Sequence, residues 1–282
     1  MSDAASHPRL LELPRDERGL ATETRAVRRM QQLLPVFLEQ KLRGAGADGF
    51  VVLLDGSVDA TVATALAIEA TSEEQVLGLV MPARMSDESS ARAAEAVASM
   101  LDIESHRMQL QPLLSAFQQC IGTTGPADDL VATRNACERF RMTCLYYVAN
   151  TTNRLVLGSI NRTQRLLGSM TKHGENGVDI APLSDIYRTE VEALAEGLAV
   201  PEEILDGQYR QTERIEESDA ERLGIEPSTL DSLLYLLIDT DRDHGAIADR
   251  LQIDRDTVQQ VEEWCSNTRH KRHPPLKPSF DL

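Results

Sequence analysis

Apolar residues first recur at helical spacing between Thr22 and Leu42, where Val27, Met30, Leu33, Leu34, Phe37 and Leu42 share a face; this predicts an amphipathic helix, with Pro35 expected to bend it. Turn residues from Gly44 to Gly49 end it. The pattern then changes to short apolar blocks separated by longer helical ones. Phe50–Leu54 and Val76–Met81 are continuous apolar runs, the pattern of strands buried on both faces. Glu104–Leu110 alternates as a third strand, and Arg154–Leu157 reads as a fourth. Helices are predicted over Val58–Ala70, Asp87–Leu101, Pro112–Cys120, Asp128–Asn150 and Asp185–Leu198, and again from Thr229 onward. Thr123–Ala127 and Gly207–Ser218 read as irregular, and Asn161–Pro182 as a loop with little periodicity.

Strands alternating with helices predict an α/β fold with a doubly wound parallel sheet, preceded by one helix and followed by a helical extension. A flexible lead-in over 1–21, one domain over 22–268 and a tail over 269–282 are expected. Such sheets bind ligands at the carboxyl ends of their strands, so the turns after Leu54, Met81 and Leu157 are the places for chemistry.

Composition narrows the classes. The 282 residues are 41% hydrophobic and 26% charged, the balance of a globular chain, and only 4% aromatic, so Leu, Val, Ile and Ala must build the core. No apolar run reaches the roughly 18 residues that cross a bilayer, and no apolar stretch follows a basic start at the N-terminus, so a cytoplasmic protein is expected. The net charge of −16 argues against a nucleic-acid partner, which needs a basic surface. Lys41, Lys172, Lys271 and Lys277 are the only lysines; an acidic, Arg-rich surface fits a halophilic cytoplasm, or equally a GC-rich genome. Cys120, Cys137, Cys144 and Cys265 show no metal spacing and read as core or bystander residues. Gly245–Val261 scans like a helix-turn-helix with Ala248, Leu251, Ile253 and Val258 inside, but Asp254, Asp256, Glu262 and Glu263 sit where DNA would be faced; a structural helix pair is expected. His7, His106 and His244 have no constellation around them.

The segment VVLLDGSVDATVATALAI (51–68) joins a strand, a Gly-bearing turn and a helix start, an arrangement that aims backbone N–H groups at a phosphate. It gains specificity from four downstream blocks, in chain order GLVMPAR, NACERFRMTCLYYVAN, LVLGSINRTQRLLGSMTKHGENGVDIAPLSDIYRTEVEALA and TRHKRHPP. Together these resemble the NAD⁺ synthetase family, the ammonia-using branch of the ATP pyrophosphatases, from about Thr22 to Pro275. The resemblance implies an adenine nucleotide alpha hydrolase-like sheet and a homodimer. It also implies a reaction in which ATP, with Mg²⁺, adenylates the nicotinate carboxylate of deamido-NAD⁺ and ammonia displaces AMP. Pyrophosphate departure demands fixed donors and a cation around the developing charge.

The family's S-G-G-x-D-S loop reads here Asp55-Gly56-Ser57-Val58-Asp59-Ala60, matching at Gly56 and Asp59. Asp55 sets an anion where polyphosphate should lie, Ser57 adds a side chain where glycine allows positive φ, and Ala60 removes a hydroxyl donor. Asp59 is implied as a metal ligand, or is simply a helix-start acid; the family's second acidic ligand is replaced by Gln164, a weaker ligand for a hard cation. The family's downstream phosphate-binding lysine aligns with Gly207, leaving Arg210 as a substitute. The deamido-NAD⁺ surface is better kept: Arg139, Arg141 and Tyr146 on the long helix, Lys172 and Asp179 in the substrate loop, and His270 and Lys271 in the tail. In that loop His173 replaces the family's Tyr and Glu175 its first Asp. Bland alternatives stand beside these: a Lys172–Asp179 salt bridge, solvated helix arginines with Arg141 paired to Glu138 or Asp128, and a loose tail cluster. Two functions therefore compete: an NAD⁺ synthetase with an impaired ATP step, or an inactive paralogue that keeps dinucleotide binding, needs no cofactor and partners an active copy.

Overall fold

The computed structural model describes residues 13–84, 87–121, 129–198, 219–240 and 242–274, with Val200, Ile204 and Pro278. The stretches read as irregular at 123–127 and 207–218, with Arg210, lie outside the described residues.

Four strands, β1 (Gly49–Leu53), β2 (Val76–Val80), β3 (Glu104–Arg107) and β4 (Arg154–Leu157), form one sheet in the order β3-β2-β1-β4. Every pair is parallel; Val51, for example, faces Leu77 on one side and Val156 on the other. From β1 the chain builds outward through β2 and β3, then returns to the far edge of β1 for β4. The order therefore reverses between β1 and β4, and a crevice opens at that point.

The apolar blocks become the buried strands for the expected reason. Phe50 and Val52 point into one layer and Val51 into the other, the period-two alternation of a pleated strand covered on both faces. The first layer holds α1 (Thr24–Ala45), α2 (Val58–Ala70), α3 (Glu88–Met100) and α7 (Arg188–Gly197). The second holds α5 (Leu130–Thr152), with α4 (Gln111–Ile121) against it. Phe50, Leu66, Leu79, Leu145 and Leu194 are fully buried, each worth about 1.5–3 kcal/mol relative to exposure. β3 carries charged side chains, as a sheet edge should.

A third apolar cluster lies outside the sheet. α6 (Arg162–Leu167), α8 (Asp219–Leu223), α9 (Pro227–Leu234), α10 (His244–Leu251) and α11 (Arg255–Asn267) join Leu20 and Tyr187 around Leu233, Leu234, Ile247, Val258 and Val261. The helix-turn-helix-like pair, α10 with α11, packs into this cluster, with Ile247 more deeply buried than Ala248 or Leu251.

Several boundaries differ from expectation. α1 continues through Pro35 to Ala45, closed by left-handed Gly46 (φ 64°). The stretch Asn161–Pro182 contains α6, too short to show a period, made possible by an Asn161–Gln164 capping box. α7 starts at Arg188, not Asp185, because Glu190 accepts the Tyr187 N–H at 2.9 Å. β3 stops at Arg107, although the Met108 and Leu110 N–H groups still reach Val80 and Pro82. Of the lead-in, 1–12 lie outside the described residues, while Leu20 and Ala21 are buried and Arg15 bonds Glu190 at 2.6 Å.

Candidate active site

The carboxyl ends of β1, β2 and β4 open into a cavity of about 690 Å³, closed on the far side by α9 and the start of α8. Asp55, Ser57, Asp59 and Gln164 line it. The β1–α2 turn is shaped by Gly56, whose φ of 77° lies in the left-handed region; a Cβ there would sit 2.7 Å from that of Ala93. Ser57 instead adopts extended backbone (φ −82°), so the expected steric cost at Ser57 is absent and the positive-φ position of this turn is Gly56. The Ser57 side chain turns inward, 4% exposed, and caps α2 by accepting the Ala60 N–H at 3.1 Å.

Asp55 makes the consequential contact. Its carboxylate accepts the Ser57 N–H at 2.9 Å. Two donors at this helix start, the amides of Ser57 and Ala60, are therefore already held by the chain's own oxygens rather than offered to a phosphate.

Asp59, in the first turn of α2, accepts from Asn161 Nδ2 at 2.8 Å. Gln164 lies one helical turn beyond Asn161, and its Oε1 accepts the Asn161 N–H at 3.1 Å. One lone pair of the amide is thereby committed, leaving the other as its only offer to a cation. The Asp59 carboxylate and the remaining Gln164 lone pair are hard oxygens on the cavity lining, a set that suits a Mg²⁺ that takes one or two protein oxygens and completes its shell with phosphate oxygens and water.

Behind this turn sits a mixed charge layer. Arg141 is ion-paired with Glu138, one of its two expected partners, approaches Asp87 at 3.5 Å and donates to the Met81 carbonyl at 3.1 Å; the other expected partner, Asp128, lies outside the described residues. Burial raises the Glu138 carboxyl, with the Arg141 charge opposing. Burial and then the facing Glu138 charge push Glu175 up to about 7, although the Thr171 N–H donates to it at 2.8 Å. Arg84, Arg134 and Arg188 also line the cavity, yet carboxylates outnumber guanidinium groups. Sequence reasoning marks the turn after Met81 but not Arg84, and nothing in the local pattern points to Arg134 or Arg188.

An open groove of about 500 Å³ runs along α5, lined by Arg139, Tyr146, Tyr147 and His173. The Tyr146 hydroxyl donates to Asp179 Oδ1 at 2.9 Å, and Asp179 Oδ2 accepts the Val156 N–H at 2.8 Å. Burial, then that bond to a carboxylate, pushes the phenol up to about 12. Lys172 does not go to Asp179: its amine donates to the His270 carbonyl at 2.8 Å, while its own carbonyl accepts from Arg139 Nε at 3.2 Å. Lys271 donates to the Gly168 carbonyl at 2.6 Å, and Asn176 Nδ2 to the Lys271 carbonyl at 3.1 Å. The structure thus brings Arg139, Tyr146, Lys172, Asp179, His270 and Lys271 into one connected patch that spans α5, the 172–179 loop and the tail.

Cys137 is buried, Cys144 half-buried and Cys120 exposed; burial raises the Cys137, Cys144 and Cys265 thiols, which keeps them protonated. No described helix is long and apolar enough to cross a membrane.

Known proteins place this architecture. The chain is 35% identical over 246 residues to the NH₃-dependent NAD⁺ synthetase of Thermococcus kodakarensis, covering 86% of this chain and 94% of that one. It is 31% identical to that of Halobacterium salinarum, covering 86% and 90%. Among solved structures, NMN synthetase from Francisella tularensis superposes with a TM-score of 0.73 at 26% identity, over 90% of this chain and 99% of that one. The NH₃-dependent NAD synthetase of Campylobacter jejuni, at 22% identity and a TM-score of 0.74 over 90% and 99%, shares the fold. The NAD synthase family matches residues 30–275, and with the two archaeal relatives it shows that the chain belongs to that family.

Proposed function

We propose that this protein is an NAD⁺ synthetase-type ligase of NAD biosynthesis that binds deamido-NAD⁺ along α5 and the 172–179 loop, and whose ATP-dependent step is slowed by its β1–α2 turn. The ligase unit spans 22–268, is anchored by the segment ahead of it, and works in the cytoplasm. One observation carries the reading: the Asp55 carboxylate already occupies the Ser57 N–H at 2.9 Å, inside the cavity where the family's relatives would seat polyphosphate. ATP must displace an anion to reach that donor, and Mg²⁺ would have Asp59 as its protein carboxylate, with one lone pair of Gln164 beside it. Mg²⁺, when bound, supplies charge neutralisation for the departing pyrophosphate. The chain's own part is to hold the nucleotide over the turn, orient the nicotinate carboxylate from the α5 side and keep the two together.

The second reading is a partner subunit without turnover of its own. It is favoured by exposed apolar side chains on α5: Leu130 (73%) and Val131 (60%) at its start, and Tyr147 (69%) beside the groove. A second copy, or an active relative in a heterodimer, would cover Tyr147 and the rim of the groove.

The test combines purified protein, ATP, Mg²⁺, ammonia and deamido-NAD⁺ at low and molar KCl, with AMP and NAD⁺ quantified. The expected result is slow but coupled formation of both. Turnover within the usual enzyme range of about 1–1000 s⁻¹ would overturn the slowed-step reading, and no product with intact deamido-NAD⁺ binding would favour the partner reading. Calorimetry with deamido-NAD⁺ alone checks the surface itself: no heat at millimolar ligand would remove it.

A further inference from the structure

Asn161, the N-cap of α6 in the turn after β4, is 1% exposed and bonds both groups expected to meet a cation. Its Oδ1 accepts the Gln164 N–H at 2.9 Å, and its own N–H donates to Gln164 Oε1 at 3.1 Å. Those bonds cap α6, a task that Ser or Asp performs about as well as Asn and Thr nearly so. Because Oδ1 must accept from an amide, Nδ2 is forced to face Asp59, to which it donates at 2.8 Å. This further contact is not needed by the cap. Among cap residues, Asn alone combines an acceptor for the helix with an NH₂ donor that reaches a carboxylate; Asp would oppose Asp59 with a second negative charge.

We propose that Asn161 is a positioning residue for Asp59: by holding one carboxylate oxygen through Nδ2 it restrains that carboxylate, so that its other oxygen would be presented to a divalent cation in the cavity. The inference rests on the reading that Asp59 retains its cation role. It assigns to the β4–α6 junction a share in metal affinity, since groups that orient a ligand typically change affinity by about 10–100-fold when removed.

The test uses full-length protein, Mn²⁺ as the paramagnetic probe and an ATP analogue with a methylene bridge between the α and β phosphates; bound Mn²⁺ is read by electron paramagnetic resonance. Asn161→Ser keeps a competent cap and removes the NH₂, and Asn161→Thr serves as the second such variant. The expected result is about tenfold weaker Mn²⁺ binding in Asn161→Ser with cooperative unfolding retained, and no further loss when the substitution is added to Asp59→Asn. Wild-type affinity in both cap-competent variants overturns the proposal while leaving Asp59 as a ligand. An equal loss in the Asp59→Asn background also overturns it, because the effect then does not run through Asp59. If Asp59→Asn alone binds Mn²⁺ as the wild type does, the cation reading of Asp59 falls, and this inference with it.

Discussion

Replacing Asp55 by Ser tests whether one carboxylate governs nucleotide access. The Asp55 oxygen sits 2.9 Å from the Ser57 nitrogen, so a phosphate oxygen seeking that N–H requires the same position. Breaking a hydrogen bond to a charged group costs about 1.5–3 kcal/mol. The displaced carboxylate stays near the phosphate: two unit charges about 5 Å apart at an effective dielectric of about 20 repel by about 3 kcal/mol. Part of this is relieved by the Mg²⁺ accompanying ATP, so about 3 kcal/mol in all is a fair expectation, equal to about a hundredfold in affinity. Serine supports the same kind of turn through its hydroxyl, so the fold should hold. Calorimetric titration of Mg·ATP into wild-type and Asp55→Ser protein reads the difference, with thermal unfolding as the control. A gain of less than about threefold, with an unchanged unfolding midpoint, would refute the electrostatic argument, because the carboxylate would then be shown to swing aside at little cost.

The other predictions concern pH, the groove and the core. Glu175 is raised from 4.5 to about 7 on folding, so the native state holds its proton more tightly than the unfolded chain, and stability falls as pH rises from about 4.5 to about 7. Glu175→Gln should therefore raise the unfolding temperature by a few degrees at pH 8 and leave it unchanged near pH 4.5; a shift equal at both would refute the assignment. Tyr146→Phe leaves Asp179 without its hydroxyl donor and should weaken deamido-NAD⁺ binding by about tenfold by calorimetry, with full retention of affinity as the refuting result. Leu194→Ala, at a fully buried position between α7 and the first core, should cost about 2–5 kcal/mol in urea unfolding.

What the sequence could disclose depended on how local the cause was. Phe50–Leu53 and Val76–Val80 were legible because a strand covered on both faces needs an unbroken apolar run, and these have one. The site's place followed from topology, since strand ends at an order reversal are open by construction. Asp55 was visible as an oddity, but only the structure shows its oxygen bonded to Ser57, and it reverses the expectation for Ser57, whose backbone is ordinary and whose hydroxyl caps α2. Glu138 and Glu175 were illegible as neighbours because 37 residues separate them, and Arg84, Arg134 and Arg188 reach the cavity from three different elements. α6 escaped notice because two turns leave no period to read.

The anchoring of Arg15–Leu20 has a bearing on biosynthesis. Arg15 reaches Glu190 and stacks on Tyr235, Arg18 reaches Thr229, Arg250 holds the Glu17 carbonyl, and Leu20 enters the cluster built by α9 to α11. Nearly every partner of this early stretch emerges from the ribosome more than a hundred residues later. Its apolar and cationic groups must therefore wait, unmatched, while the sheet assembles, and the ring closes only when translation is almost done. A nascent chain stalled before α9 would have a finished sheet but an incompletely held front end and no far wall to its cavity.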